Sequence, residues 1–179
     1  VSVQKPVILP FGDQLPRIAP DAFIAPNATV VGDVEIGAGS SLWFNVVVRG
    51  DVHAIRIGAG TNIQDGSVVH VTTNRFATVI GDNVSVGHMA LLHGCTLEDG
   101  AFVGMAATVM DGCVIEGGGM LAAGSLLTPG KRIKAGELWS GRPAVLMRPI
   151  QEKEVAMMAN TPRHYAALAA RYRATIAGL

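Results

Sequence analysis

Two short stretches, NIQDGSVVH from Asn62 to His70 and VGHMALLHGC from Val86 to Cys95, hold three of the chain's five histidines. Neutral imidazole is the commonest metal ligand among side chains, and three such rings on a divalent ion leave a coordination position open for chemistry. Gln64 and Asp65 add an amide and a carboxylate nearby in the sequence. Taken singly, each histidine reads equally well as a surface or interface residue. What decides is whether the fold brings them together.

The elements that must position them are set by an internal repeat, which takes precedence over local propensity. Ile18, Ile24, Val30, Ile36, Leu42 and Val48 recur six apart. The phase slips by three and resumes at Ile57, Ile63 and Val69, then restarts after a longer interruption at Ile80, Val86 and Leu92. One five-residue step leads to Leu97, and the period continues through Val103, Val109, Ile115, Leu121, Leu127 and Ile133. A period of six fits neither an amphipathic helix nor an alternating strand. It fits a solenoid in which each hexapeptide makes one short strand and one corner, the aliphatic residue points inward, and three hexapeptides close a coil of 18. The expected fold is an all-β solenoid, a parallel β-helix.

After Ile133 the pattern fades. Thr161 and Pro162 read as an N-cap and first helical position. Tyr165, Leu168, Ala169, Tyr172 and Ile176 then form one helical stripe, and a shorter helical piece is expected over 151–159. The chain therefore divides into a lead-in (1–17), a β-helix (18–145) and a helical tail (146–179) that packs on the solenoid or on a neighbouring subunit.

The repeat gives every histidine a coordinate. His70 and His93 each follow an inward residue, Val69 and Leu92, so both point outward. They lie 23 residues apart, of which five belong to the interruption, and the remaining 18 make one coil. The two rings should stack on successive coils, close enough for one metal at about 2.0–2.1 Å from each nitrogen. His88 stands on the preceding side of the triangle and should point elsewhere. If it serves the same metal, it must come from another subunit, as a cyclic trimer with three equivalent heterologous interfaces would allow. Spacing alone leaves the third ligand open.

Composition narrows the alternatives. The formal net charge is zero, which argues against nucleic acid or an anionic membrane as partner. Glycine, at 22 residues, exceeds the usual share of about 7 % and suits a fold with many corners. No run reaches a membrane span. Val1 to Pro10 lacks the basic start and apolar segment of a secretory signal, so a cytoplasmic protein is expected. Cys95 and Cys113 match no disulfide or zinc-knuckle pattern and read as small buried fillers.

The segments VVVRGDVHAIRIGAGTNIQDGSVVH, IGDNVSVGHMALLHGC and AGSLLTPGKRIKAGELWSGRPA together resemble the gamma-class carbonic anhydrases and their bacterial homologues. The hexapeptide repeat is shared with many acyltransferases; the combination of RGD, NIQDGSVVH and GHxxxxH is far more specific. The resemblance covers nearly the whole chain. It implies a left-handed parallel β-helix of hexapeptide repeats with a C-terminal α-helix, assembled as a homotrimer. It also implies reversible hydration of CO₂ to bicarbonate.

By this resemblance the metal ligands are His70 and His93 from one subunit and His88 from the next, with Zn²⁺ as the usual metal and Fe²⁺ or Co²⁺ as alternatives. No other cofactor is implied. Gln64 resembles the side chain that orients metal-bound water, and Tyr165 resembles a tyrosine brought to the site by the C-terminal helix. Asp51 would position ligands from behind, and Arg49 and Asp65 resemble a charged pair at the subunit contact. Two departures bear on rate. The most active archetype has a Glu directly after RGD, where this chain has Val52, and an acidic loop after the first histidine, where this chain reads VTTNRFATV. The proton route is reduced and slow hydration is expected, with His53 or Tyr165 as the available substitutes. Two further functions fit the same repeat: an acyltransferase or acyl-CoA thioesterase, for which SGRPA resembles a transferase segment, and a non-enzymatic trimeric assembly subunit.

Overall fold

A computed structural model describes residues 4–178. The chain winds as a parallel β-solenoid of about seven turns closed by one C-terminal helix. Of the periodic aliphatic positions, all from Val30 to Ile133 are buried at 3 % exposure or less. Ile18 and Ile24, on the first coil, are only half-buried because no complete coil lies beneath them. Each fully buried Leu or Ile contributes about 1.5–3 kcal/mol of transfer free energy, and stacking makes that core continuous.

Three faces follow from the strand pairing. The first carries Val7–Leu9, the opening halves of Thr29–Ile36 and Val47–Ile57, then Val68–His70, Leu91–His93, Thr108–Val109 and Leu126–Leu127. The second carries the closing halves of the two long strands, then Thr78–Ile80, Thr96–Leu97, Val114–Ile115 and Arg132–Ile133. These two faces form one 12-stranded sheet because the long strands turn the corner without a break. The third is a separate 8-stranded sheet. Among the described strands every pairing between coils is parallel, and the closing hairpin, Glu137–Gly141 with Ala144–Pro149, is antiparallel. Val7–Leu9, within the expected lead-in, already pairs with the first face, and Ala144–Pro149 crosses the expected boundary at 145.

The phase slip is a bulge. Gly32 pairs with Gly50 but Val34 pairs with Ile55, so residues 51–54 bow out of the ladder. The longer interruption is the excursion 71–77, pinned at its neck by a bridge between Thr72 and Phe76. Asn74 donates its N–H to the Val52 carbonyl at 3.3 Å, which joins the two protrusions.

The tail corrects one expectation. The helix α1 is continuous over Glu152–Ala177, so Thr161 and Pro162 lie inside it, not at its start. The chain enters α1 at Gln151, whose N–H donates to the Glu154 carboxylate at 2.8 Å, and Arg148 makes two hydrogen bonds to that same carboxylate. Pro162 forfeits one helical hydrogen bond but is buried against the solenoid, and the Thr161 hydroxyl donates back to the Met157 carbonyl. Met158, Pro162, Tyr165, Ala169 and Ile176 form the seam that packs α1 on the third face. Beneath it Trp43 meets Tyr165 and Tyr172 edge-on, at 5.2 and 5.4 Å between ring centroids. Among the described residues no helix is long and apolar enough to cross a membrane.

Candidate metal centre

Val68–His70 and Leu91–His93 are adjacent parallel strands in which His93 stands opposite His70. The preceding Val69 and Leu92 are completely buried, so strand alternation turns both imidazoles outward. The His70 Nδ1 lies 3.1 Å from the His93 Nε2. Two nitrogens on a tetrahedral centre at 2.0–2.1 Å would stand about 3.3 Å apart. That spacing suits two ligands of one ion, and equally a hydrogen bond from one ring to the other.

The remaining nitrogens face carboxylates. His70 Nε2 is 3.0 Å from Asp51 Oδ1, and His93 Nδ1 is 2.7 Å from Asp111 Oδ1. With a proton on each of those nitrogens, the two converging nitrogens both present lone pairs. Such a pair calls for a cation between them, and carboxylate-backed imidazole is the usual arrangement behind a metal. Burial opposes charge on both aspartates. At Asp51 the hydrogen bonds from His70 and Arg49 outweigh it, and at Asp111 those from His93 and Thr72 do, so both pKa values fall below the ordinary carboxylate range. The bulge is what carries Asp51 to His70. The excursion is anchored by Thr78, which is buried, donates to the His70 carbonyl at 2.6 Å and accepts from the Gly94 N–H.

His88 occupies the corner between the third and first faces, at the other edge of the first face. Its Nδ1 is 2.8 Å from Asp65 Oδ2, and its Nε2 is 3.4 Å from the Tyr165 hydroxyl. The side chain is 41 % exposed. Gly87 before it is required by packing: a Cβ there would lie 2.6 Å from the Met105 backbone nitrogen. Gln64 is nearly buried, and its amide nitrogen donates to Asn62 Oδ1, so its own oxygen remains an acceptor. Burial, and then the Asp65 charge, push the Tyr165 phenol up.

Within one chain the candidate residues thus form two groups. Arg49, Asp51, His70, His93 and Asp111 lie at one edge of the first face; Gln64, Asp65, His88 and Tyr165 lie at the other. Among the described residues no group of three possible ligands converges within the chain. Arg49 and Asp65 are not paired with each other here: Arg49 pairs with Asp51, and Asp65 with His88. His164 is exposed, and His53 is half-buried on the bulge with Nδ1 accepting the Ala54 N–H. Cys95 and Cys113 are buried thiols whose pKa values burial raises. Sequence reasoning missed Asp111, Thr72 and Asn62. Asp111 had a signal, since it lies 18 residues after His93, one coil further on.

Comparison with known proteins adds the following. Residues 16–50 match the family described as bacterial transferase hexapeptide (six repeats). The chain is 47 % identical to gamma carbonic anhydrase 1, mitochondrial, of Arabidopsis thaliana, over 90 % of this chain and 61 % of the plant protein. It is 40 % identical to a carbonic anhydrase of Geobacillus kaustophilus, over 94 % of this chain and 92 % of that protein. The crystal structure of a hexapeptide transferase family protein from Anaplasma phagocytophilum superimposes with a TM-score of 0.89 at 49 % identity, covering 93 % of this chain and 98 % of the other. The chain thus spans less than two thirds of the plant relative's length.

Proposed function

The chain belongs to the gamma carbonic anhydrase family, and we propose that it catalyses reversible hydration of CO₂ to bicarbonate at a divalent metal shared between subunits of a homotrimer. The observation that carries this reading is the His70–His93 pair, with ring nitrogens 3.1 Å apart and a carboxylate behind each ring. The third ligand is His88 of the adjacent subunit. Its position at the opposite edge of the same face suits a head-to-tail contact that repeats around a closed ring. Zn²⁺ fits three imidazoles best, with Fe²⁺ and Co²⁺ as alternatives. When bound, such an ion supplies the Lewis acidity that makes water a nucleophile near neutral pH.

The chain's own residues do the rest. Asp51, Asp65 and Asp111 hold the ligand tautomers. Gln64, steadied by Asn62, offers its amide oxygen to orient water at the site. Tyr165, with its raised pKa, stays protonated at neutral pH and serves as a hydrogen-bond donor, not as a proton carrier. Arg49 and Asp65 face each other across the contact between subunits. Val52 and the carboxylate-free excursion leave the proton with a poor exit, so turnover is slow.

The test is CO₂ hydration by anaerobically prepared, metal-loaded protein beside its His88→Ala variant, with the oligomeric mass measured for both. Hydration well above the variant by a trimer supports the reading; no difference, or a monomer, overturns it. The match of 16–50 to transferase hexapeptides keeps acyl transfer or thioester hydrolysis as a second reading, for which affinity for coenzyme A would be the supporting result.

A further inference from the structure

The geometry points to Asp111 and Thr72 as a positioning pair that aims His93 at the metal, an inference that rests on His93 being a ligand. Both Asp111 oxygens are engaged. Oδ1 accepts from His93 Nδ1 at 2.7 Å, and Oδ2 accepts from the Thr72 hydroxyl at 2.8 Å. An ionised carboxylate can only accept, so Asp111 holds the proton of His93 on Nδ1 and leaves Nε2 as the coordinating atom, the one already turned toward His70.

A third residue is shaped to this contact. Gly94 follows His93 with φ +58°, and a Cβ there would lie 2.3 Å from Asp111 Oδ1 and 2.7 Å from Phe76 Cβ. Any side chain at 94 would push the carboxylate off the imidazole. The backbone of Asp111 is fixed as well: its carbonyl accepts the Gly130 N–H at 2.9 Å, and the next residue, Gly112, donates to the Gly94 carbonyl at 2.8 Å.

Thr72 gives this arrangement its particular meaning. It lies in the excursion that begins immediately after His70, so the segment following one ligand fixes the ring of the other. The excursion holds no carboxylate. It contributes a hydroxyl that locks a carboxylate from two coils further on. Thr72 and Asp111 are 39 residues apart, and only the coil stacking brings them together. Outer partners of this kind raise ligand basicity and fix ring orientation, and losing one costs about 10–100-fold in metal affinity.

The experiment is chelator-competition measurement of Zn²⁺ affinity in the full chain, with the visible spectrum of the Co²⁺-loaded protein as a second readout. It compares wild type, Asp111→Asn, Thr72→Val and Thr72→Ser. Asp111→Asn should weaken Zn²⁺ by about 10–100-fold and shift the Co²⁺ bands. Thr72→Val should weaken it severalfold, and Thr72→Ser, which keeps the hydroxyl, should restore it. Thr72 is half-buried, so its variants keep the question open to test even if Asp111→Asn folds poorly. Wild-type affinity and spectrum in both Asp111→Asn and Thr72→Val would overturn the positioning role while leaving the metal site intact. Failure of wild type to bind one Zn²⁺ per subunit would overturn the metal reading itself, and this inference with it.

Discussion

His70 and His93 face each other across adjacent strands, nitrogen to nitrogen at 3.1 Å, although 23 residues separate them. Neither ring is placed by a local motif. Each is placed by a buried neighbour, Val69 or Leu92, and by an excursion that absorbs the five surplus residues without disturbing the register of the next coil.

Removing either ring should abolish tight binding. His70→Ala and His93→Ala each leave two of the three proposed imidazoles, so Zn²⁺ affinity should fall by more than the roughly 10–100-fold expected for an outer partner. Isothermal titration with Zn²⁺ checks this, and near-native affinity in either variant would refute the pairing.

The corner glycines are not equivalent. Gly87→Ala drives a Cβ into the Met105 backbone, whereas Gly100→Ala, at φ +71°, meets nothing within 4 Å. The second should cost about 1–2 kcal/mol of left-handed strain, and the first more, with displacement of His88. Urea unfolding of the two variants gives the ranking; the reverse order would contradict the corner packing.

Core truncations should follow position along the solenoid. Leu92→Ala, at a completely buried site, is expected to cost about 2–5 kcal/mol. Ile24→Ala, half-buried on the first coil, should cost clearly less. Equal losses in denaturant titrations would argue against a core built coil by coil.

Acid should loosen the closing hairpin from α1. The hydrogen bonds from Arg148, and then the Gln151 N–H, lower the Glu154 pKa from 4.5 to about 2. A depressed carboxylate stabilises the fold above its unfolded pKa, and that contribution fades as pH falls from 4.5 toward about 2. Glu154→Gln should therefore lower Tm at about pH 7 and differ less from wild type at about pH 3. A gap that stayed constant with pH would remove the ion pair from the account.

The period of six made the core legible because each coil repeats one packing problem, and Val30 through Ile133 solve it identically. It also placed His70 against His93, since that contact depends only on counting. Two things lay beyond it. Thr161–Pro162 carries the local signature of a helix start, yet burial of Pro162 and the Gln151–Glu154 bond let α1 begin ten residues earlier. Asp111 reaches His93 only because Gly94 leaves room for it, and a vacancy in one residue that admits a side chain from another is invisible to local pattern. The pairing of Arg49 with Asp51 was likewise hidden, because it depends on how far the bulge at 51–54 turns outward.

The opposite-edge arrangement of His88 and the His70–His93 pair has a consequence for mixtures. If the site is shared as proposed, no subunit supplies a whole site to itself, and two defective chains should complement one another. In the proposed ring, a His88→Ala subunit still offers an intact His70–His93 edge, and a His93→Ala subunit still offers an intact His88. Wherever the first meets the second in the right order, a native site reappears. A mixed trimer holds one such junction, so two inactive preparations unfolded and refolded together would regain part of what each had lost alone.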